Sequence, residues 1–312
     1  MPWNDRIKRR LKLRDLDILM IVVDAGGMGK AARRLGISQP AISKAIADLE
    51  DALGLSLLVR SQKGIEPTPY GAALIKRGVS VFNELRQGVQ DIEYLADPTA
   101  GELRIGATEP TAAAIVAPVI DKLSRQYPRM VFRVLGGDLM GTYRNMAERN
   151  VELVISRVSE ALPEGCAYET LFHDSMVVAA AKSHPLTRRR KIELADLVDE
   201  AWTQQLGDNH FGWLVAKAFE GCRLPPPRTT VSSSYLVLRS ELLSAGRFLT
   251  VVPGFSLKLP RKHPFLRALP VELPGSRHPI AIVTLKNREL SPLAQVFCEH
   301  VRALTKPLAK DR

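Results

Sequence analysis

The sequence predicts an α/β chain with an all-α module in front. Three observations carry that prediction: helical apolar stripes ended by glycines up to Leu53, one long amphipathic helix over 70–95, and strands alternating with helices from about residue 102 onward. With 312 residues, 46% of them apolar, the chain has material for two or three compact units with real cores.

The first helix spans Leu11–Val23, with Leu13, Leu16, Leu19, Met20 and Val23 at the i, i+3, i+4, i+7 spacing of one buried stripe. Ala25-Gly26-Gly27 ends it, since glycine accepts the left-handed conformation that closes a helix. A second helix, Met28–Leu35, packs through Ala31, Ala32 and Leu35 and turns Lys30, Arg33 and Arg34 to its polar side. After the turn Gly36-Ile37, Ser38 is the N-cap of a third helix, and Pro40 falls in the first turn, where a missing N–H costs nothing. Ile42, Ile46, Leu49 and Leu53 point inward, so Gln39, Ser43 and Ala47 line the opposite, solvent face.

Two helices joined by a short glycine-containing turn, the second offering small polar side chains at its N-terminal end, form a DNA-reading helix-turn-helix. Small residues let the backbone approach the major groove. Gln39 and Ser43 offer an amide and a hydroxyl to base edges, and Arg33, Arg34 and Lys44 offer cations to phosphates. Next, two short apolar stretches within Leu55–Thr68 flank the turn residues Gln62-Lys63-Gly64, a small hairpin that reads as a wing with Arg60 and Lys63 reaching phosphates or an adjacent minor groove.

The charge distribution agrees. The chain carries a net +11, and residues 1–44 hold ten Lys/Arg against four acids, a net of +6. Residues 45–97 are net −3, and the remaining 215 residues carry +8 spread thinly. DNA binding therefore rests on where a few cations sit around one helix. The charge of the C-terminal part points to solubility or an anionic ligand.

Thr68-Pro69 supplies an N-cap and a proline at the first helical position. From Tyr70 to Leu95 the apolar residues Leu74, Ile75, Val79, Phe82, Leu85, Val89, Ile92 and Leu95 follow in steps of three and four. Such a stripe on a protruding helix of about seven turns is expected to dimerise.

Residues 11–71 resemble the winged helix-turn-helix of the LysR-type transcriptional regulators. The resemblance is carried by Leu16–Gly26, Ala31–Leu35, Ser38-Gln39-Pro40-Ala41-Ile42-Ser43-Lys44-Ala45-Ile46, Leu49-Glu50, Leu53-Gly54, Arg60, Pro67-Thr68 and Gly71. Within the family, Ile46–Glu50 and Gly88–Gly106 look most like regulators such as the galactose-binding-protein regulator. The resemblance implies operator contacts from Gln39, Pro40, Ser43 and Lys44, and phosphate contacts from Arg33 or Arg34 and from the wing at Arg60 and Thr68; Ser38 and Lys63 join the DNA-binding candidates by their positions at the helix start and the hairpin turn. It also implies that the winged helix-turn-helix covers 1–68, that 69–97 is the linker and dimerisation helix, and that 98–312 forms a two-lobed α/β effector domain resembling periplasmic binding proteins. Lobe one is then expected over 98–165 and 267–312, and lobe two over 166–266.

Past the hinge-like Asp97–Gly101, the pattern gives strands at Glu102–Ala107, Met130–Gly136 and Val151–Ser156, with helices at Thr111–Gln126 and Leu139–Arg149 between them, read as units of a parallel sheet. A second set has strands within Tyr168–Ala181, at Thr229–Val231 and at Phe248–Val252, with helices at Leu194–Leu197, Phe211–Glu220 and Tyr235–Ala245. A late strand, Ile280–Leu285, and a helix, Leu293–Leu304, close the chain. Ligands of open parallel sheets bind beyond the carboxyl ends of strands, at helix N-termini. That rule selects Thr108, Glu109, Thr111, Arg157, Ser233 and Thr250 as effector-binding candidates. Glu109 weighs against a carboxylate seated at that helix start and Arg157 weighs for one, so a sugar, a sugar acid or an aromatic acid all stay open, with a small hydroxylated molecule preferred.

No cofactor or metal is expected. The six histidines show no metal-ligand spacing, and neither a G-x-S-x-G elbow nor a phosphate-binding loop appears, so an enzyme is disfavoured. Asp208-Asn209-His210 and Lys182-Ser183-His184 read as surface histidines. Three cysteines, odd in number and without C-x-x-C, fit a reducing cytoplasm. The apolar run Leu16–Val23 is short and broken by Asp17, so neither export nor a membrane partner is expected. The expected partners are promoter DNA, a small effector, further copies of the chain as a dimer or tetramer, and RNA polymerase. An effector-independent architectural DNA binder is the alternative.

Overall fold

The computed structural model describes residues 10–61, 64–158, 162–204, 209–233, 235–259, 263–286 and 288–310. It divides into two compact units, Met1–Val89 and Gln90–Arg312.

In the first unit, α1 (Leu13–Ala25), α2 (Met28–Leu35) and α3 (Gln39–Leu53) enclose one core. Each helix ends on a glycine with φ near +67°, at Gly26, Gly36 and Gly54. Leu16, Leu19, Val22, Ala31, Ala32, Ile42, Ile46 and Leu49 are buried. The stripe of α1 is rotated relative to the sequence reading: Ile18 and Val22 lie in the core, whereas Leu13 is 44% exposed. At about 100° per residue, Leu13 falls on the helix face opposite Asp15, Leu19 and Val22, which are buried.

The wing strands β1 (Leu58–Ser61) and β2 (Gly64–Pro67) pair antiparallel with Leu58 opposite Pro67. The Glu50 carboxylate accepts from the backbone N–H of Leu57 at 2.7 Å and of Leu58 at 3.2 Å, which fixes the wing to the end of α3. The long helix α4 (Pro69–Ala96) then crosses so close that a Cβ at Gly71 would lie 2.0 Å from the Leu57 carbonyl oxygen. Leu74, Ile75 and Phe82 of α4 pack onto the helix-turn-helix core.

The second unit is two-lobed. The sheet of lobe one has the order β4 (Arg129–Leu135), β3 (Ala100–Ala107), β5 (Leu153–Arg157), β12 (His278–Leu285), β6 (Cys166–Asp174). The sheet of lobe two runs β11 (Leu266–Ala268), β7 (Met176–Ala181), β10 (Phe248–Pro253), β8 (Ala201–Gln204), β9 (Thr229–Ser232). Both sheets are mixed rather than parallel: β12 runs antiparallel to β5 and β6, and β7 antiparallel to β10 and β11.

This topology corrects the expected lobe boundaries. Residues 166–174 belong to lobe one, because β6 pairs along its length with β12 from Cys166↔Leu285 to Asp174↔His278. The strands expected within 168–181 therefore lie in two different sheets, separated only by Ser175. The return crossing falls between Ala268 and His278, not at Arg267, which still pairs with Ala180.

The helix expected at 111–126 is built in three pieces: Glu109–Thr111, a π segment Ala112–Val116, and α5 (Ala117–Gln126). Pro118 lacks an N–H for a regular i→i−4 bond, and the wide turn instead pairs the Ala117 N–H with the Ala112 carbonyl. Helix α6 (Leu139–Ala147) follows β4. In lobe two, α7 (Asn209–Gly221) and α8 (Leu236–Ser244) flank the sheet, and α9 (Pro292–Thr305) packs on lobe one. The segment 194–197, expected as a helix, is a 3₁₀ turn. Trp202 anchors the core of lobe two, edge-on to Phe219, with its indole N–H donated to the Leu197 carbonyl at 3.0 Å. Cys166 and Cys298 are buried, and burial pushes the Cys298 thiol up to about 12, so it is inert at neutral pH. No helix among the described residues is long and apolar enough to cross a membrane.

Gly71→Ala forces α4 and the wing entry apart. The expected loss is about 1–3 kcal/mol from the unfolding free energy of the first unit, read by chemical denaturation.

Candidate nucleic-acid interface and interlobe cavity

Local rules build the reading end of α3. The Ser38 hydroxyl accepts from the Ala41 N–H at 3.4 Å, and Pro40 occupies the first turn. Ser38, Gln39, Pro40, Ser43, Lys44 and Ala47 are all exposed. The Ser43 hydroxyl donates to Met28 Sδ at 3.2 Å, a weak acceptor it can exchange for a better one. Arg33 and Arg34 are exposed in the last turn of α2. Arg34 pairs with Asp24, but the two side chains are 58% and 68% exposed, so water screens the pair and little holds it against a competing phosphate.

One expected contact is corrected here. The Thr68 hydroxyl donates to the Ser56 carbonyl at 2.8 Å and accepts from the Gly71 N–H at 3.1 Å, so it caps α4 and its proton is already engaged. Lys63 and the side chain of Arg60 lie outside the described residues, as do Asp208 and the side chain of His210.

Between the lobes lies a cavity of about 390 Å³. Its wall is largely apolar: Pro110, Ala113 and Ala114 from lobe one face Val215, Leu236, Leu243, Val251, Val252 and Leu266 from lobe two. Glu109, Gln204, Arg239, Ser240 and Thr250 supply polar groups. Glu109 Oε2 and Arg239 Nη2 stand 3.4 Å apart across the gap. A second, wider cavity of about 850 Å³ adjoins it, sharing Leu257, His263 and Leu266. Burial and the nearby Lys182 charge hold His263 below its usual pKa.

The six effector-binding candidates separate on this geometry. Glu109 and Thr250 line the cavity. Thr108 does not, and its hydroxyl lies 3.1 Å from that of Thr111. Thr111 is withdrawn: 2% exposed, it donates to the Ile155 carbonyl at 2.7 Å and locks the helix start onto β5. Ser233 is buried, and its hydroxyl accepts from the Tyr235 N–H at 3.1 Å as the entry to α8.

Arg157 is the clearest correction. Its guanidinium donates to the Asp174 carbonyl at 3.1 Å, the Ser276 carbonyl at 2.8 Å and the Asp174 carboxylate at 3.0 Å. Burial lowers its pKa, and the Asp174 charge opposes that shift. Arg157 stands at a strand end, as the rule requires, but its side chain turns back into the crossing between lobes.

A family model described as "Bacterial regulatory helix-turn-helix protein, lysR family" matches residues 13–72, and one described as "LysR substrate binding domain" matches 96–306. The chain belongs to the LysR family. It is a DNA-binding transcriptional regulator with an effector-binding domain, in a family of regulators rather than enzymes. The regulator GbpR of Azospirillum brasilense is 29% identical over 97% of this chain and 89% of its own length. The regulator YdcI of Escherichia coli (strain K12) is 27% identical over 97% of this chain and 98% of its own. Full-length CbnR, solved with its target DNA, shares the fold with a TM-score of 0.68 at 21% identity, over 94% of this chain and 100% of that one.

For this LysR chain, the polar cavity residues Gln204, Arg239, Ser240, Ser256 and His263 are absent from the effector candidates read in the sequence, and Arg239 is the guanidinium among them. Leu236, Arg239, Ser240 and Leu243 all line the cavity at i, i+3, i+4, i+7. The signal in the sequence is a lone cation on that helical stripe, which a rule based on helix starts does not select.

Arg157→Ala leaves Asp174 buried without its counter-charge. It is expected to cost the effector-binding unit about 3–5 kcal/mol of stability in thermal or chemical unfolding.

Proposed function

We propose that Gln39 and Ser43 read base edges in the major groove, while Arg33, Arg34 and Lys44, with Arg60 and Lys63 of the wing, grip flanking phosphates. The observation that carries this reading is the capped, exposed N-terminal end of α3, with its amide and hydroxyl bordered by exposed cations.

The proposed assembly is a dimer paired through α4, two of which join as a tetramer. Support comes from the far half of that helix, where Leu85, Val89, Ile92 and Leu95 are 49%, 55%, 67% and 79% exposed along one stripe. Apolar side chains in such a row at the surface call for a partner. The effector, from the range of sugar, sugar acid or aromatic acid, is proposed to occupy the interlobe cavity. Its binding shifts the population of lobe arrangements and thereby the spacing of DNA-reading pairs on the operator. RNA polymerase is the further partner that such a regulator addresses, and the cytoplasm is the compartment where promoter DNA meets it.

Footprinting on the DNA upstream of the protein's own gene locates the operator, and fluorescence anisotropy then tests the division of labour. Ser43→Ala is expected to weaken operator binding by about tenfold while leaving random DNA nearly unchanged. Arg34→Ala is expected to weaken both and to reduce the salt slope by about one. Equal effects of the two changes on both DNAs would refute the assignment. Ile92→Glu is expected to shift the sedimenting species toward monomer at equal concentration.

A further inference from the structure

Among the described residues, the charged side chains lining the interlobe cavity, apart from His263, are Glu109 and Arg239. They come from opposite lobes. Glu109 opens the helical stretch after β3 in lobe one, and Arg239 stands on α8 in lobe two.

Their pairing is incomplete. The Arg239 side chain is only 11% exposed, yet its one contact with Glu109 is a long 3.4 Å approach through Nη2. Its Nε is buried without a hydrogen-bond partner among the described residues. A guanidinium is a planar fork suited to two parallel bonds with one carboxylate, and a buried donor left unmet is costly. Glu109, whose side chain is 42% exposed and reaches across from the other lobe, engages only one prong.

The surroundings define what would do better. Pro110, Ala113, Leu236, Leu243 and Val252 give the cavity an apolar wall, and at about 390 Å³ it sits at the small end of small-molecule pockets, which span about 300–1,000 Å³. The polar residues Glu109, Gln204, Arg239, Ser240 and Thr250 cover the smaller part of the lining, so a many-hydroxyl sugar would bury some of its hydroxyls against the apolar wall. A compact acid with an apolar body would bury its body there and present a carboxylate to both the Nε and Nη edges of Arg239.

We propose that the effector is a small carboxylic acid with an apolar body, anchored by Arg239, and that Glu109 is a built-in competitor occupying the same guanidinium in the effector-free protein. This rests on the reading of the interlobe cavity as the effector site. The ligand's carboxylate takes Arg239 from Glu109, so binding cuts the ion pair that ties the two lobes across the cavity. Glu109 then lowers the apparent affinity by the population it holds in the tied state.

The test is calorimetric titration of the full chain with phenylacetate, cyclohexanecarboxylate and hexanoate, each beside its neutral amide. At least one acid is expected to bind about tenfold or more tightly than its amide, and Arg239→Gln is expected to erase that preference. Arg239→Lys, which keeps the charge without the fork, should retain part of it and shows that the site still folds. Glu109→Gln should tighten the acid about two- to fivefold, the scale of a partly exposed ion pair. Ala113→Trp fills the cavity and should abolish binding. Amides binding as well as acids, or no acid binding even to Glu109→Gln, overturns the proposal. Acid binding that Ala113→Trp abolishes but Arg239→Gln leaves intact keeps the cavity as the effector site and discards the anchor. Acid binding indifferent to both changes discards the cavity reading itself.

Discussion

One guanidinium holds the effector-binding unit together at its narrowest place. Arg157 ends β5 and binds the carbonyl of Asp174 on the outgoing crossing and the carbonyl of Ser276 beside the return crossing. The Asp174 carboxylate, which it also binds, accepts from the Phe255 N–H at 2.9 Å, so the segment leaving β10 is tied to the same point. Burial penalises both charges, lowering the pKa of Arg157 and raising that of Asp174; each charge opposes the other's shift, and the Phe255 and Gly254 N–H groups and the Lys258 charge also favour the Asp174 carboxylate. The lobes therefore share a stiff pivot. Differences in lobe arrangement must come from contacts away from it, across the cavity.

The DNA-reading unit is organised on the opposite plan. Its interior is apolar and close-packed, with helix ends and the wing entry set by glycine turns, the Ser38 cap and the Glu50 carboxylate. Its functional surface is left loosely committed. Ser43 donates to a thioether, and Arg34 shares a solvated pair with Asp24. Weak native partners suit a surface that must exchange them for phosphates and base edges, because little is lost when they are released.

The division between legible and illegible features follows from this contrast. The three helices, their glycine stops, the Ser38 cap and the long helix were readable because periodicity and capping are local rules. The mixed sheets and the lobe boundaries were not: 168–181 reads as successive strands, and which sheet each one joins depends on β12 arriving from about a hundred residues away. At the interlobe cavity, strand ends and helix starts point to Glu109 and Thr250 on its lining. Yet the polar groups there had two possible employers, and the fold took Thr111, Ser233 and Arg157 for its own hydrogen bonds. Arg239 escaped notice because it sits mid-helix, where its meaning comes from the lobe opposite.

The π segment at Ala112–Val116 has a geometric consequence for the cavity. It is in effect one residue more than an α-helix would use over the same rise, placed between α5, which packs on lobe one, and Glu109, which faces lobe two. Each residue of an α-helix turns about 100° around the axis. Removing the extra residue would leave α5 seated where it is and swing Glu109 and Pro110 by about that angle, off the cavity rim. The bulge thus indexes the rotational phase of the rim against the core beneath it, a setting made by a single alanine count and a proline.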